Sequence, residues 1–371
     1  MPETEARQKT ARLLESEAGR VLRLPALIGF DGFVDEIVRL VDKYESPSRF
    51  TTISTIQALS ERLAHAAGKS TNIEAIVDQI KLGGNGPIMA NALANFGLRI
   101  TYIGNLGHPQ IHPVFREFAQ KARVYSIAEP GHTDALEFDD GKVMLGKYQS
   151  LNEIHYENIL KTIGETAFAS LWQESRFYAL VNWTMVYHMT AIWQALLEHH
   201  CQPDPQKIIF FDLADPEKRT EADIKVALET LGHFADFYRV ILGCNEKESM
   251  EIAEVLGLKN QDHDKAGLQK RAAALRQALG IDTVVIHPRQ YAVAANASSV
   301  ACVDGPYTPQ PRISTGGGDH FNAGFCLGAL LGFDLQTALL TGVATSGYYV
   351  RKAASPTVQQ LVDFLKAWRS D

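Results

Sequence analysis

The sequence predicts an α/β chain, a doubly wound and mostly parallel sheet flanked by helices with a small β-lid, and two observations predict it. Short apolar runs rich in β-formers alternate with longer stretches of helical period, the rhythm of parallel strands joined by helical crossovers. Residues 36–82 and 124–148 break that rhythm with strand-like alternation and turn residues, as an added lid would. The 371 residues, 46% of them hydrophobic, can fill a large core, so one domain over residues 1–371 is expected.

Strands are expected at residues 26–29, 100–103, 177–181, 207–212, 237–242 and 283–287. Each is a short apolar run, as suits a strand covered on both faces. Helices are expected at residues 87–96, 113–122, 190–199, 221–231, 247–256, 266–279 and 319–331. The lid is assigned to residues 36–43, 74–82 and 124–148, the last folding about the hairpin turn Asp139-Asp140-Gly141. Such a lid excludes water from a reacting group. Exposed lid strands also invite pairing, and a homodimer through the lid is the expectation.

Composition excludes several classes. The net charge is -7 and no basic run occurs, so no nucleic-acid partner is expected. No window approaches the roughly 20 apolar residues of a membrane span, and the charged, helix-prone N-terminus does not read as a signal peptide. A cytoplasmic protein follows as an expectation. The four scattered cysteines form no Cys-x-x-Cys pair, so they read as packing residues.

Chemistry concentrates where glycines meet helix starts. Gly316, Gly317 and Gly318 precede an apolar helix, placing unhindered N–H groups where the macrodipole favours an anion. Asp319 follows directly. It would repel a bound phosphate, but it suits a base that takes the proton of an attacking hydroxyl; it also suits a plain helix cap. Gly83, Gly84 and Asn85 open another helix, where a polar ligand can approach backbone or a tight turn can form. A strand runs into Asp31 and Asp35, carboxylates placed for paired hydroxyls or for solvent. Asn245 and Glu248 have the spacing of a capping box.

Taken in chain order, Asp35, the run Gly83 to Asn85, Asn245 with Glu248, and the run Ser314 to Asp319 resemble the successive motifs of the ribokinase-like (PfkB) carbohydrate kinase family. The resemblance spans nearly the whole chain. It implies a ribokinase-like fold and a sugar kinase that moves the γ-phosphoryl of ATP to a hydroxyl of a carbohydrate or sugar-like molecule. Asp319 would be its base and Gly316, Gly317 and Gly318 its anion hole. Asp35, with Asp31 in reserve, would bind the acceptor beside Gly83, Gly84 and Asn85. Asn245, Glu248, Thr315 and Asn322 would serve the nucleotide and Mg2+, with no direct protein ligand to the metal assigned. A nucleoside, vitamin-precursor or ADP-dependent kinase of the same superfamily shares this machinery, and so does a binding protein that has lost transfer.

Some positions depart from the pattern. Ile313 stands where the family carries an Asp that helps hold a monovalent cation, so cation activation is not expected. Ile88 replaces an Asn that touches substrate hydroxyls, and His287 stands in a nucleotide loop that usually reads Thr-x-Gly. The run Gly68 to Thr71 imitates the end of a phosphate loop but lacks its earlier glycine and its preceding strand.

Overall fold

The structure is a computed structural model and describes residues 3–259 and 262–368. Nine strands form the main sheet, in the order Arg123–Ser126, Arg99–Gly104, Pro25–Phe30, Phe177–Val181, Ile208–Asp212, Arg239–Cys244, Thr283–Ile286, Tyr291–Ala295 and Val300–Asp304. Neighbours are parallel as far as Thr283–Ile286, and the last two strands run antiparallel.

Strand alternation builds two cores. Along Ile208–Asp212, Ile208 and Phe210 enter one core while Ile209 and Phe211 enter the other, the period of two that a strand imposes. The first core is completed by the helices Glu3–Val21, Asn85–Phe96, Gly317–Leu330, Leu335–Lys352 and Val358–Ala367. The second is completed by Tyr156–Ile163, Glu165–Glu174, Met189–His199, Glu221–His233, Glu246–Val255 and Lys265–Leu279. The sheet is therefore doubly wound and covered on both faces. Trp172, Trp183 and Trp193 are fully buried in the second core. No cysteine among the described residues is in a disulfide, and Cys244 and Cys326 are buried. No helix among them is long and apolar enough to cross a membrane.

A second sheet stands at the carboxyl edge of the first. Its central strand, Phe33–Ser46, pairs antiparallel with Ala75–Gly83 and with Arg49–Thr52, and parallel with Gly131–Phe138, which turns back into Gly141–Lys147. Val38, Leu40, Ile53, Leu59 and Leu136 form its own small core under the helix Ile56–His65. Tyr44, Val77, Ile80, Met144 and Leu145 remain exposed on it.

Two expectations need correction. Residues 123–126 belong to the main sheet, where Thr101 and Arg123 are register partners, because the short helix Arg116–Lys121 returns the chain to that edge. Phe237 donates its N–H to the Phe234 carbonyl in a turn, so the strand begins only at Arg239. The segment Gly68 to Thr71 is, in keeping with the sequence reading, an exposed turn after the helix Ile56–His65 with no strand entering it.

Candidate active site

Parallel strands that end together leave their next residues along one edge. Here those residues include Asp31, Asn105, Asn182, Asn245 and His287, with Asp212 closing its own strand.

Asp319 lies in the first turn of Gly317–Leu330, behind Gly316 at φ 89°, a left-handed turn that only glycine adopts cheaply. Its residue is 9% exposed. Burial is the largest influence on the carboxyl and pushes its pKa up to about 7. The Asn85 amide, donating from Nδ2 to Oδ1 at 2.9 Å, opposes the shift, and the charges of Asp31 and Glu248 add to it. The pKa of a general base works best near the operating pH. Of the three glycine amides, that of Gly317 donates to the Ser314 carbonyl at 3.2 Å. The N–H of Gly318 has no helical carbonyl to meet, as at any helix start.

Asn85 is held by the residue expected to stand in reserve for substrate. Both oxygens of Asp31 are occupied: Gly86 N–H donates to Oδ1 at 2.9 Å, and Asn85 N–H and Asn182 Nδ2 donate to Oδ2 at 3.0 and 2.7 Å. Asp31 is 0% exposed, so it offers an acceptor nothing. A carboxylate at the start of Asn85–Phe96 instead satisfies orphan donors and complements the helix dipole. Gly86 is required there, since a Cβ would lie 2.5 Å from Asp31 Oδ1 and 2.4 Å from the Tyr102 hydroxyl. Asp35 sits on the lid against Gly83, whose Cβ would come within 2.4 Å of its carboxyl. Burial raises the Asp35 pKa, while the charges of Lys81 and Lys142 and a Thr133 hydrogen bond lower it.

The remaining residues divide by contact. Asn245 and Glu248 form the capping box outright, each side chain bonding the other's backbone N–H. Glu248 also accepts from the Asp215 N–H at 3.0 Å. Asn322 donates from Nδ2 to Asp212 Oδ2 at 2.8 Å and is 2% exposed, so it steadies Asp212. Burial, then the charges of Glu248 and Asp319, hold the Asp212 carboxyl well above the usual range. Thr315 accepts from Lys142 Nζ at 3.2 Å. His287 packs on Phe321, against Gly318, and its buried Nε2 has no protein partner. Burial lowers its pKa to about 4, so the ring is neutral.

A cleft of about 990 Å³ lies under the lid, lined among others by Lys81, Lys142, Ile88, Thr315, Tyr349 and Ser355. Sequence reasoning missed Lys81, Lys142 and Tyr349. Lys81 is the register partner of Asp35, so strand alternation carried a signal for it. Asn182, at φ 61°, keeps a buried Oδ1 without a protein partner, as Thr184 does its Oγ1.

Comparison with known proteins agrees with this fold. A model of the prokaryotic ketohexokinase family matches residues 4–368. A ketohexokinase from Haloferax volcanii is 28% identical over 95% of this chain and 92% of its own. Among solved structures, Arabidopsis thaliana ribokinase with ribose and ATP superposes with a TM-score of 0.63 at 13% identity, over 93% of this chain and 99% of that one. Ribokinase from Thermotoga maritima gives 0.60 at 15% identity, over 92% and 99%. With a doubly wound sheet, a lid and a buried aspartate behind three glycines already in place, the chain belongs to the prokaryotic ketohexokinase family and is a sugar kinase of ribokinase-like fold.

Proposed function

We propose that this kinase transfers the γ-phosphoryl of ATP to a hydroxyl of a ketohexose, with magnesium, and that Asp319 is the base. The observation that carries the reading is Asp319 itself, a buried carboxylate with a pKa near 7 at the glycine-rich start of a helix. Its carboxylate accepts the hydroxyl proton as that oxygen forms its bond to the γ-phosphorus, and the bond to the β–γ bridging oxygen breaks to release ADP. Free amides at the helix start meet the charge on the equatorial oxygens. Asp35 and the orphaned Asn182 Oδ1 and Thr184 Oγ1 supply acceptors for the other hydroxyls of a sugar.

The donor side fits a hard cation. Asp212 and Glu248 are buried oxygen donors close enough to repel each other, the kind of sparse carboxylate set that magnesium takes with water and phosphate. When bound, the ion neutralises charge on the donor's phosphates. The tighter acidic group Asp215, Glu217 and Glu251 is unsuited, because Lys247 already pairs with all three. The Ile313 side chain offers no ligand to a monovalent cation. Two copies pairing through the apolar lid residues complete the proposal, and a monomer mass in solution would dismiss that part.

The test is ADP release with magnesium and ATP across ketohexoses, ribose and inosine, in sodium and potassium salts, with ADP tried separately as donor. Ketohexose turnover above the others, in either salt, is expected. Preference for a nucleoside, or activity only with ADP, would reassign substrate or donor; silence with every acceptor would leave a binding protein.

A further inference from the structure

Three consecutive glycines solve one problem and create another. Without Cβ atoms their peptides approach an anion closely, but they also flip readily. A flipped peptide turns a carbonyl oxygen toward the phosphate instead of an N–H. Something must hold the carbonyls away.

Two stacked rings are placed to do so. The rings of His320 and Tyr349 lie 3.5 Å apart at 12°. The Tyr349 hydroxyl donates to the Thr315 carbonyl at 3.0 Å. The Gly316 carbonyl receives two donors from one residue, the His320 backbone N–H at 3.1 Å and its ring Nδ1 at 2.7 Å. The far nitrogen, Nε2, meets Ser355 Oγ at 2.8 Å. His320 is 2% exposed, and burial lowers its pKa to about 4, so the ring carries one proton. A carbonyl only accepts. The proton is therefore on Nδ1, and Nε2 accepts from the serine hydroxyl.

We propose that His320 is a positioning residue for phosphoryl transfer: its Nδ1–H pins the Gly316 carbonyl, and with Tyr349 on Thr315 it fixes two successive peptides of the anion-binding loop. A peptide is planar, so each pinned carbonyl sets the direction of the following N–H. The Gly316–Gly317 peptide is held at both ends, since the Gly317 N–H meets Ser314. What remains free to the phosphoryl is then the Gly316 N–H, turned opposite to the Thr315 carbonyl, and the Gly318 N–H beyond. Ser355 is held in turn by Asn91 and Asn95 of the helix Asn85–Phe96, and so ties the ring to that helix.

This inference rests on the kinase reading, and three variants separate the two. His320→Asn puts an amide nitrogen where Nδ1 stood and keeps the Gly316 bond; His320→Gln puts one near Nε2 and keeps only Ser355; His320→Ala keeps neither. For the alanine variant kcat should fall about 10²-fold, the cost of misplacing a reacting group by about 1 Å. KM for sugar and ATP should stay within about threefold, because the loss falls on the transition state. The asparagine variant should recover most of kcat and the glutamine variant should not. Equal kcat for those two would overturn the proposal even if the alanine variant fails to fold. A readout independent of turnover is the ¹⁵N spectrum of histidine-labelled protein, where His320 should be the neutral Nδ1–H tautomer at pH 7. An Nε2–H tautomer would also overturn it. Wild-type protein without kinase activity would refute the kinase reading alone, and the tautomer would still decide whether the ring holds Gly316.

Discussion

An Asp319→Asn protein is expected to bind sugar and nucleotide about as well as the parent while turning over about 10²–10⁴-fold more slowly, the range that loss of a general base produces. The same substitution should raise thermal stability. Asp319 has a folded-state pKa of about 7 against an ordinary value of 3.8. Between those limits the folded protein keeps a proton that the unfolded chain has lost, so stability declines as pH rises through that window. At roughly 1.4 kcal/mol per pKa unit, holding the ionised carboxylate above pH 7 costs the fold on the order of 4 kcal/mol. Asparagine removes that cost and still offers an oxygen to the Asn85 amide. Scanning calorimetry should therefore find the variant more stable at pH 8 and nearly equal at pH 4. In the parent, kcat/KM should fall tenfold for each pH step below about 7. A variant that is slow but no more stable at pH 8 would place Asp319 in a better-solvated site than described.

Asp31→Ala should have the largest effect on folding. It strands the N–H groups of Asn85 and Gly86 and the Asn182 amide in a site with no exposure. At about 1–3 kcal/mol for each unsatisfied buried group, less than additively, the loss should be roughly 3–5 kcal/mol. Denaturant titration measures it. Asp31→Asn is no remedy, since its NH2 would face donors on either side. Because Asn85 starts from Asp31 and reaches Asp319, the surviving folded protein should also lose kcat. A loss below about 1 kcal/mol would mean that water or a neighbour replaces the carboxylate at little cost.

The local part of this architecture was legible in sequence and the long-range part was not. The run Gly316 to Asp319 and the pair Asn245 and Glu248 are contiguous or three apart, so helix-start chemistry identified them. The partners that give them meaning are remote: Asn85 is 234 positions from Asp319, Asn182 is 151 from Asp31, and Asn322 is 110 from Asp212. That is why Asp31 read as a spare substrate carboxylate, and why the bond from Asn322 to Asp212 was not foreseen. The strands Tyr291–Ala295 and Val300–Asp304 escaped because alanine has little strand preference, and antiparallel pairing fixes them. Leu335–Lys352 escaped for a related reason. Its threonines, valines and glycines are weak helix formers, and burial against Gly317–Leu330 holds it instead.

The two cores have a consequence for how such an enzyme diversifies. Asn85, Asp319 and His320 ride on helices packed against one face of the sheet, while Asn245 and Glu248 ride on a helix packed against the other. Substitutions far apart with no shared partners combine nearly independently. Inherited changes in one helical layer, away from the sheet edge, can thus accumulate without disturbing the other, whereas a change at Glu248 reaches across the sheet to Asp319 through its charge.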